Sequence, residues 1–85
     1  YGGEEFIVLL PGTSGKRAVE IAERIRSGVM SVKFEQGGQK VPVTISLGVA
    51  EYDAALDNTA HMFIDRVDQA LYCSKRDGRN RLTAG

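Results

Sequence analysis

Tryptophan is absent from these 85 residues, cysteine occurs once and proline twice. The lone Cys73 excludes an internal disulfide and a cysteine-based zinc site, and it fits a reducing compartment. Eleven basic residues against eleven acidic ones leave no net charge. The overall field therefore gives no reason to bind a nucleic-acid polymer or an anionic membrane, and any phosphate recognition must come from a local cluster. No apolar run approaches the length of a membrane span and no signal peptide is recognisable, so the cytoplasm is the expected location. What the chain does have is 42% hydrophobic and 26% charged residues, the composition of one small soluble domain or a piece of one. So short a chain buries a low fraction of its surface. Marginal stability is expected unless another chain, or the rest of a larger domain, covers an exposed sheet face.

Phe6, Ile7, Val8, Leu9 and Leu10 form a continuous apolar run, the pattern of a strand buried on both faces, which Pro11 and Gly12 end. Thr13 or Ser14 can cap a following helix in which Ala18, Ile21, Ala22, Ile25 and Val29 recur at helical spacing. SVKFE, the glycine turn QGGQ and KVPVTISLGVAEY read as a short strand, a turn and a long strand. In the latter Val41, Val43, Ile45, Leu47 and Val49 alternate onto one face, and Pro42 marks an edge or bulge. A loop with a cap at Asp57 or Asn58 leads into a second helix with Phe63, Ile64, Val67, Ala70 and Leu71 as its stripe. This helix is expected to stop near Gly78, and NRLTA can add a last strand. The order β-α-β-β-α-β matches the split βαβ pattern of α+β, ferredoxin-like folds.

Two stretches could carry chemistry. Gly2, Gly3, Glu4 and Glu5 read plainly as a hairpin turn with exposed carboxylates. Alternatively, the glycines let backbone approach a ligand while an adjacent carboxylate holds a hard cation through oxygen. On an extended segment Glu4 and Glu5 point to opposite sides and do not share one job. The second stretch, residues 75–81, carries four cations in seven residues. It reads plainly as a helix end stabilised by Lys and Arg and stopped by glycine. Functionally it is a phosphate clamp, with Lys75 as a point charge and Arg79 as a planar fork, spaced to converge on one anion. His61 has no nearby Cys or His and reads as a surface histidine. Cys73 reads as a small packed side chain, and Ser46 lacks an acid-base partner.

Taken in order, Tyr1-Gly2-Gly3-Glu4-Glu5-Phe6, Thr44-Ile45-Ser46-Leu47-Gly48-Val49-Ala50, Asp68, Ala70-Leu71-Tyr72, Lys75 and Gly78-Arg79-Asn80-Arg81 resemble the GGDEF family, the diguanylate cyclases of bacterial signal transduction. The resemblance runs along nearly the entire chain and covers about the C-terminal half of the family domain. It implies an incomplete nucleotidyl-cyclase palm that joins two GTP molecules into cyclic di-GMP and releases pyrophosphate. Magnesium or manganese would be the cofactor, and a homodimer of facing domains the active form. Carried over by position, Glu4 is a metal ligand and Glu5 a metal-associated or proton-handling carboxylate beside the ribose hydroxyl. Gly2 and Gly3 make room for nucleotide, while Lys75 and Arg79 hold the terminal phosphates. Arg24 lies where some members place a secondary arginine for bound product, although a solvated helix-face cation is the favoured reading for this residue.

The resemblance also implies what this sequence does not contain: a metal aspartate and phosphate-binding amides on the family's first strand, and an asparagine and aspartate for guanine. The 85 residues alone are therefore expected to be inactive. In the family fold that first strand lies between residues 6–10 and residues 43–50. Its absence leaves a gap to be closed by direct pairing, by a borrowed strand or, the favoured outcome, by self-association. The competing functional reading is a catalytically silent module of the same kind that binds GTP or cyclic di-GMP, or dimerises, to regulate an attached domain; an intact GGEEF with Lys75 and Arg79 argues against it. A free-standing interaction domain leaves the clustered signature unexplained.

Overall fold

In a computed structural model that describes residues 5–85, an α-helix, a β-hairpin and a βαβ unit follow one another along the chain. Helix α1 (Gly15–Ser31) starts where expected, because the Ser14 hydroxyl accepts the Arg17 N–H at 3.2 Å and satisfies one of the free amides of the first turn. Its stripe buries Ala18 and Ala22, half-buries Ile21 and Val29, and leaves Ile25 largely exposed. Pairs at i,i+3, Arg17 with Glu20 and Arg26 with Glu23, line other faces.

Strands β1 (Phe34–Gln36) and β2 (Gln39–Val41) pair antiparallel across Gly37 and Gly38, both at positive φ, as a tight hairpin turn requires. Opposite charges face each other at Glu35 and Lys40. The long strand expected from residue 40 onward is interrupted. β2 ends at Val41, Pro42 offers no N–H for a ladder, and the next strand, β3 (Leu47–Val49), belongs to a different sheet. β3 pairs parallel with β4 (Leu82–Ala84), and helix α2 (Ala60–Arg76) forms the crossover between them.

Both helices pack on the β3–β4 pair. Gly48 is the point of closest approach: a Cβ there would overlap the backbone of Val67 and Leu71, so α2 can lie on β3 only over a glycine. Ser74, fully buried on α2, donates to the Leu47 carbonyl at 2.8 Å and shares a 2.7 Å hydrogen bond with the Thr83 hydroxyl, joining the helix to both strands. The apolar core is small: among the described residues Ala18, Ala22 and Ala70 are its buried members.

Two further expectations need correction. Residues 6–10 form no strand; Phe6 is 87% and Leu9 75% exposed. The physical reason is that a strand exists only through its ladder, and no described strand pairs with this run. The cap of α2 is neither Asp57 nor Asn58 but Thr59, whose hydroxyl accepts the Met62 N–H at 3.2 Å. Asp57 is instead 1% exposed and gripped by Arg66 from inside α2.

Candidate functional site

The basic end of α2 is shaped by its cap. After Arg76 the chain passes through Asp77 and then Gly78 at φ 122°, Arg79 at φ 63° and Asn80 at φ 47°. The Arg79 N–H donates back to the Ser74 carbonyl at 2.9 Å, the six-to-one bond of a Schellman cap. Glycine at the stop was legible in the sequence. That two further residues, neither of them glycine, stay in the left-handed region was not. The turn is closed by Arg81, whose Nε donates to the Arg79 carbonyl at 3.1 Å.

Lys75, on the last turn of α2, lies beside Glu5: its Nζ is 3.3 Å from Glu5 Oε2, and each side chain is about a third exposed. The structure thus brings together a signature carboxylate and a basic-tail cation that stand seventy residues apart in the chain. Arg79 follows on the exposed turn. Arg24 is an exposed side chain on α1. Gly2, Gly3 and Glu4 lie outside the described residues. His61 is on the surface, with Nε2 3.6 Å from Asp65 Oδ2.

Two sets of side-chain contacts, one on α1 and one at the start of α2, escaped the sequence reading. Arg26 donates through Nη1 to Asn80 Oδ1 at 2.8 Å and through Nε and Nη2 to both carboxylate oxygens of Glu23. The hydrogen bonds and charge of Arg26 hold the Glu23 carboxyl below its ordinary pKa. Glu23 and Arg26 at i,i+3 are visible in the sequence as a helix-face pair; the reach of Arg26 to Asn80 is not. Asp57 accepts Arg66 Nε at 2.8 Å on one oxygen, and Arg66 Nη2 at 2.7 Å and the Asp53 N–H at 2.9 Å on the other. Arg66 also donates to the Glu51 carbonyl at 2.7 Å, so loop 51–57 is strapped to α2. Tyr52 meets Phe63 edge to face at 5.6 Å in the same strap.

Chemically, the described part of the site offers an oxygen donor at Glu5 and cations at Lys75 and Arg79. No group of three His, Cys, Asp or Glu residues able to hold a metal occurs among the described residues. Glu5 is a single oxygen ligand, so a hard cation held here would need its remaining ligands from outside the described residues.

Residues 1–81 match the family model described as diguanylate cyclase, GGDEF domain. The chain is 49% identical over 83 residues to diguanylate cyclase A of Treponema denticola, covering 98% of this chain and 22% of that protein. It is 38% identical over 82 residues to diguanylate cyclase DgcP of Pseudomonas aeruginosa, covering 96% of this chain and 12% of that protein. It therefore spans about a fifth or less of the length of these relatives. Among solved structures, the coiled coil and GGDEF domain of DgcB from Caulobacter crescentus in complex with c-di-GMP superposes with a TM-score of 0.74. The identity is 33%, over 86% of this chain and 39% of that one. The signature, the βαβ unit and the capped basic tail thus have one common explanation: the chain belongs to the GGDEF domain family of diguanylate cyclases.

Proposed function

We propose that these residues form the signature-and-clamp half of a domain that condenses two GTP molecules into cyclic di-GMP with release of pyrophosphate. The observation that carries this reading is the 3.3 Å approach of Lys75 to Glu5, which sets a signature carboxylate beside the proposed phosphate clamp. In-line transfer to a phosphorus centre asks a protein for positioning and charge neutralisation more than for covalent help. Lys75 and Arg79 supply the positive charge: Lys75 exchanges its Glu5 partner for a terminal phosphate oxygen, and Arg79 grips a phosphate with its fork. Glu4 would hold magnesium or manganese, which when bound neutralises phosphate charge and lowers the barrier to attack by the ribose hydroxyl, and Glu5 would lie beside that hydroxyl as a metal-associated or proton-handling carboxylate. Gly2 and Gly3 leave room for the nucleotide. The ring of cyclic di-GMP takes two nucleotides, so a homodimer of facing domains is the proposed active form, working in the cytoplasm, where GTP is available.

The test has two parts. The 85-residue chain incubated with GTP and magnesium, followed by nucleotide chromatography, is expected to yield no cyclic di-GMP. In a complete GGDEF domain carrying these residues, Glu4→Gln is expected to abolish synthesis with an unchanged circular dichroism spectrum, and retained synthesis would remove Glu4 from the metal site. In that same domain Lys75→Ala and Arg79→Ala are expected to raise the KM for GTP. Arg79→Lys should raise it too, because an ammonium cannot replace a bidentate fork. Unchanged GTP kinetics in both alanine variants would return the basic tail to the role of a helix stop.

A further inference from the structure

Arg79 and Asn80 are consecutive non-glycine residues in the left-handed region. L-residues rarely adopt this backbone, and it persists only where the surroundings hold it there. The cap bond from the Arg79 N–H to Ser74 holds one end of this turn. The other end is held from α1, a helix that precedes it by half the chain. Asn80 Oδ1 accepts Arg26 Nη1 at 2.8 Å, and Asn80 Nδ2 lies 3.6 Å from Met30 Sδ. Arg26 is itself immobilised, because Nε and Nη2 are taken up by Glu23 and its side chain is only 16% exposed. A guanidinium engaged through all three nitrogens has a fixed plane, and it passes that fixity to the acceptor it holds.

We infer that Arg26 is a positioning residue for the phosphate clamp: through Asn80 it locks the left-handed turn from which Arg79 reaches the terminal phosphates of GTP. The inference rests on the assignment of Arg79 as a phosphate ligand. It adds a residue that touches no substrate and whose loss loosens the fork. If the turn relaxes to an ordinary backbone, Arg79 keeps its charge but loses its fixed placement. Weaker ground-state binding of GTP then follows, with the rate at saturation largely kept.

The experiment uses a complete GGDEF domain carrying these residues and measures kcat and KM for GTP together with the thermal midpoint. Arg26→Ala is expected to raise KM by about three- to tenfold with kcat near wild type. Arg26→Lys is expected to behave like Arg26→Ala, since lysine cannot fork between Glu23 and Asn80. Asn80→Ala, which leaves α1 and its Glu23 pair untouched, should reproduce the KM change even if Arg26→Ala folds poorly. The decisive arm is the double variant: in an Arg79→Ala background, Arg26→Ala should cause no further rise in KM, because the side chain it positions is gone. An unaltered KM in Asn80→Ala and in folded Arg26→Ala, or effects that multiply in the double variant, would overturn the inference while leaving Arg79 as a ligand. An unaltered KM in Arg79→Ala alone would instead overturn the clamp on which the inference rests.

Discussion

Burial strips a carboxylate of water, and the charge on Asp57 survives because both of its oxygens accept donors, two from Arg66 and one from the Asp53 backbone. The Arg66 hydrogen bonds are the main cause that holds its pKa below the ordinary aspartate value, against the opposing effect of burial. The sign follows directly. A carboxyl with a lower pKa folded than unfolded stabilises the fold at pH values above its unfolded value, near about 4, and loses that contribution as pH falls through the depressed folded value. The thermal midpoint is therefore expected to be flat from neutral pH down to about 5 and to fall below about 4. Asp57→Asn should lower the midpoint at neutral pH and flatten the acid limb; an acid limb unchanged in that variant would assign it to other carboxylates, Glu23 first. None of this was legible in the sequence. An aspartate shortly before a helix looks like a cap, and its pairing with a residue nine positions on depends on how loop 51–57 folds back. That Lys75 and Arg79 fall together at the end of a helix was legible from their spacing and the glycine between them. The partners that hold the site, Glu5 for Lys75 and Arg26 for Asn80, required the tertiary structure.

Helices are specified locally and strands are not, and the elements of this chain divide along that line. α1 was readable because its cap hydroxyl and its stripe act within a few residues of the backbone they shape, and α2 because its stripe and its glycine stop do, although its cap is Thr59 and not the residue expected. The run at residues 6–10 carries strong strand propensity and forms none, because propensity cannot supply a ladder partner. The seam between α2 and the β3–β4 pair is the firmest element contact and gives a direct test. Gly48→Ala forces a Cβ into the backbone of Val67 and Leu71, so α2 must lift. The expected loss is about 1–3 kcal/mol, read as a lower midpoint in urea unfolding. Ser74→Ala removes the bond to the Leu47 carbonyl and leaves Thr83 short of a partner, for about 1 kcal/mol. Urea midpoints unchanged in both variants would mean that helix and sheet are less closely joined than these distances state.

For the whole molecule, surface is the governing quantity. A compact monomer of this mass exposes about 4,900 Å²; this chain of 9.2 kDa exposes 6308 Å². Its radius of gyration is 14.4 Å, against about 12 Å for a compact domain of this length. The excess of roughly 1,400 Å² is of the order of the area a stable interface removes from water. Much of the apolar part lies on Phe6, Ile7, Val8, Leu9 and Leu10, all exposed. The isolated chain is therefore expected to self-associate, with a sedimentation coefficient that rises with concentration, and replacing Phe6 and Val8 by Ser should abolish the rise. A monomer at every concentration, melting in one sharp transition, would show that this surface needs no cover. The β1–β2 hairpin bears on the same question from another side, for it touches neither helix nor the β3–β4 pair. Two strands alone are marginal in water. Opening them costs the rest of the molecule nothing, so the amides of residues 34–41 should exchange with deuterium early and independently of denaturant. Those of α2 should exchange only when the βαβ unit comes apart, which makes the chain two unfolding units written as one sequence.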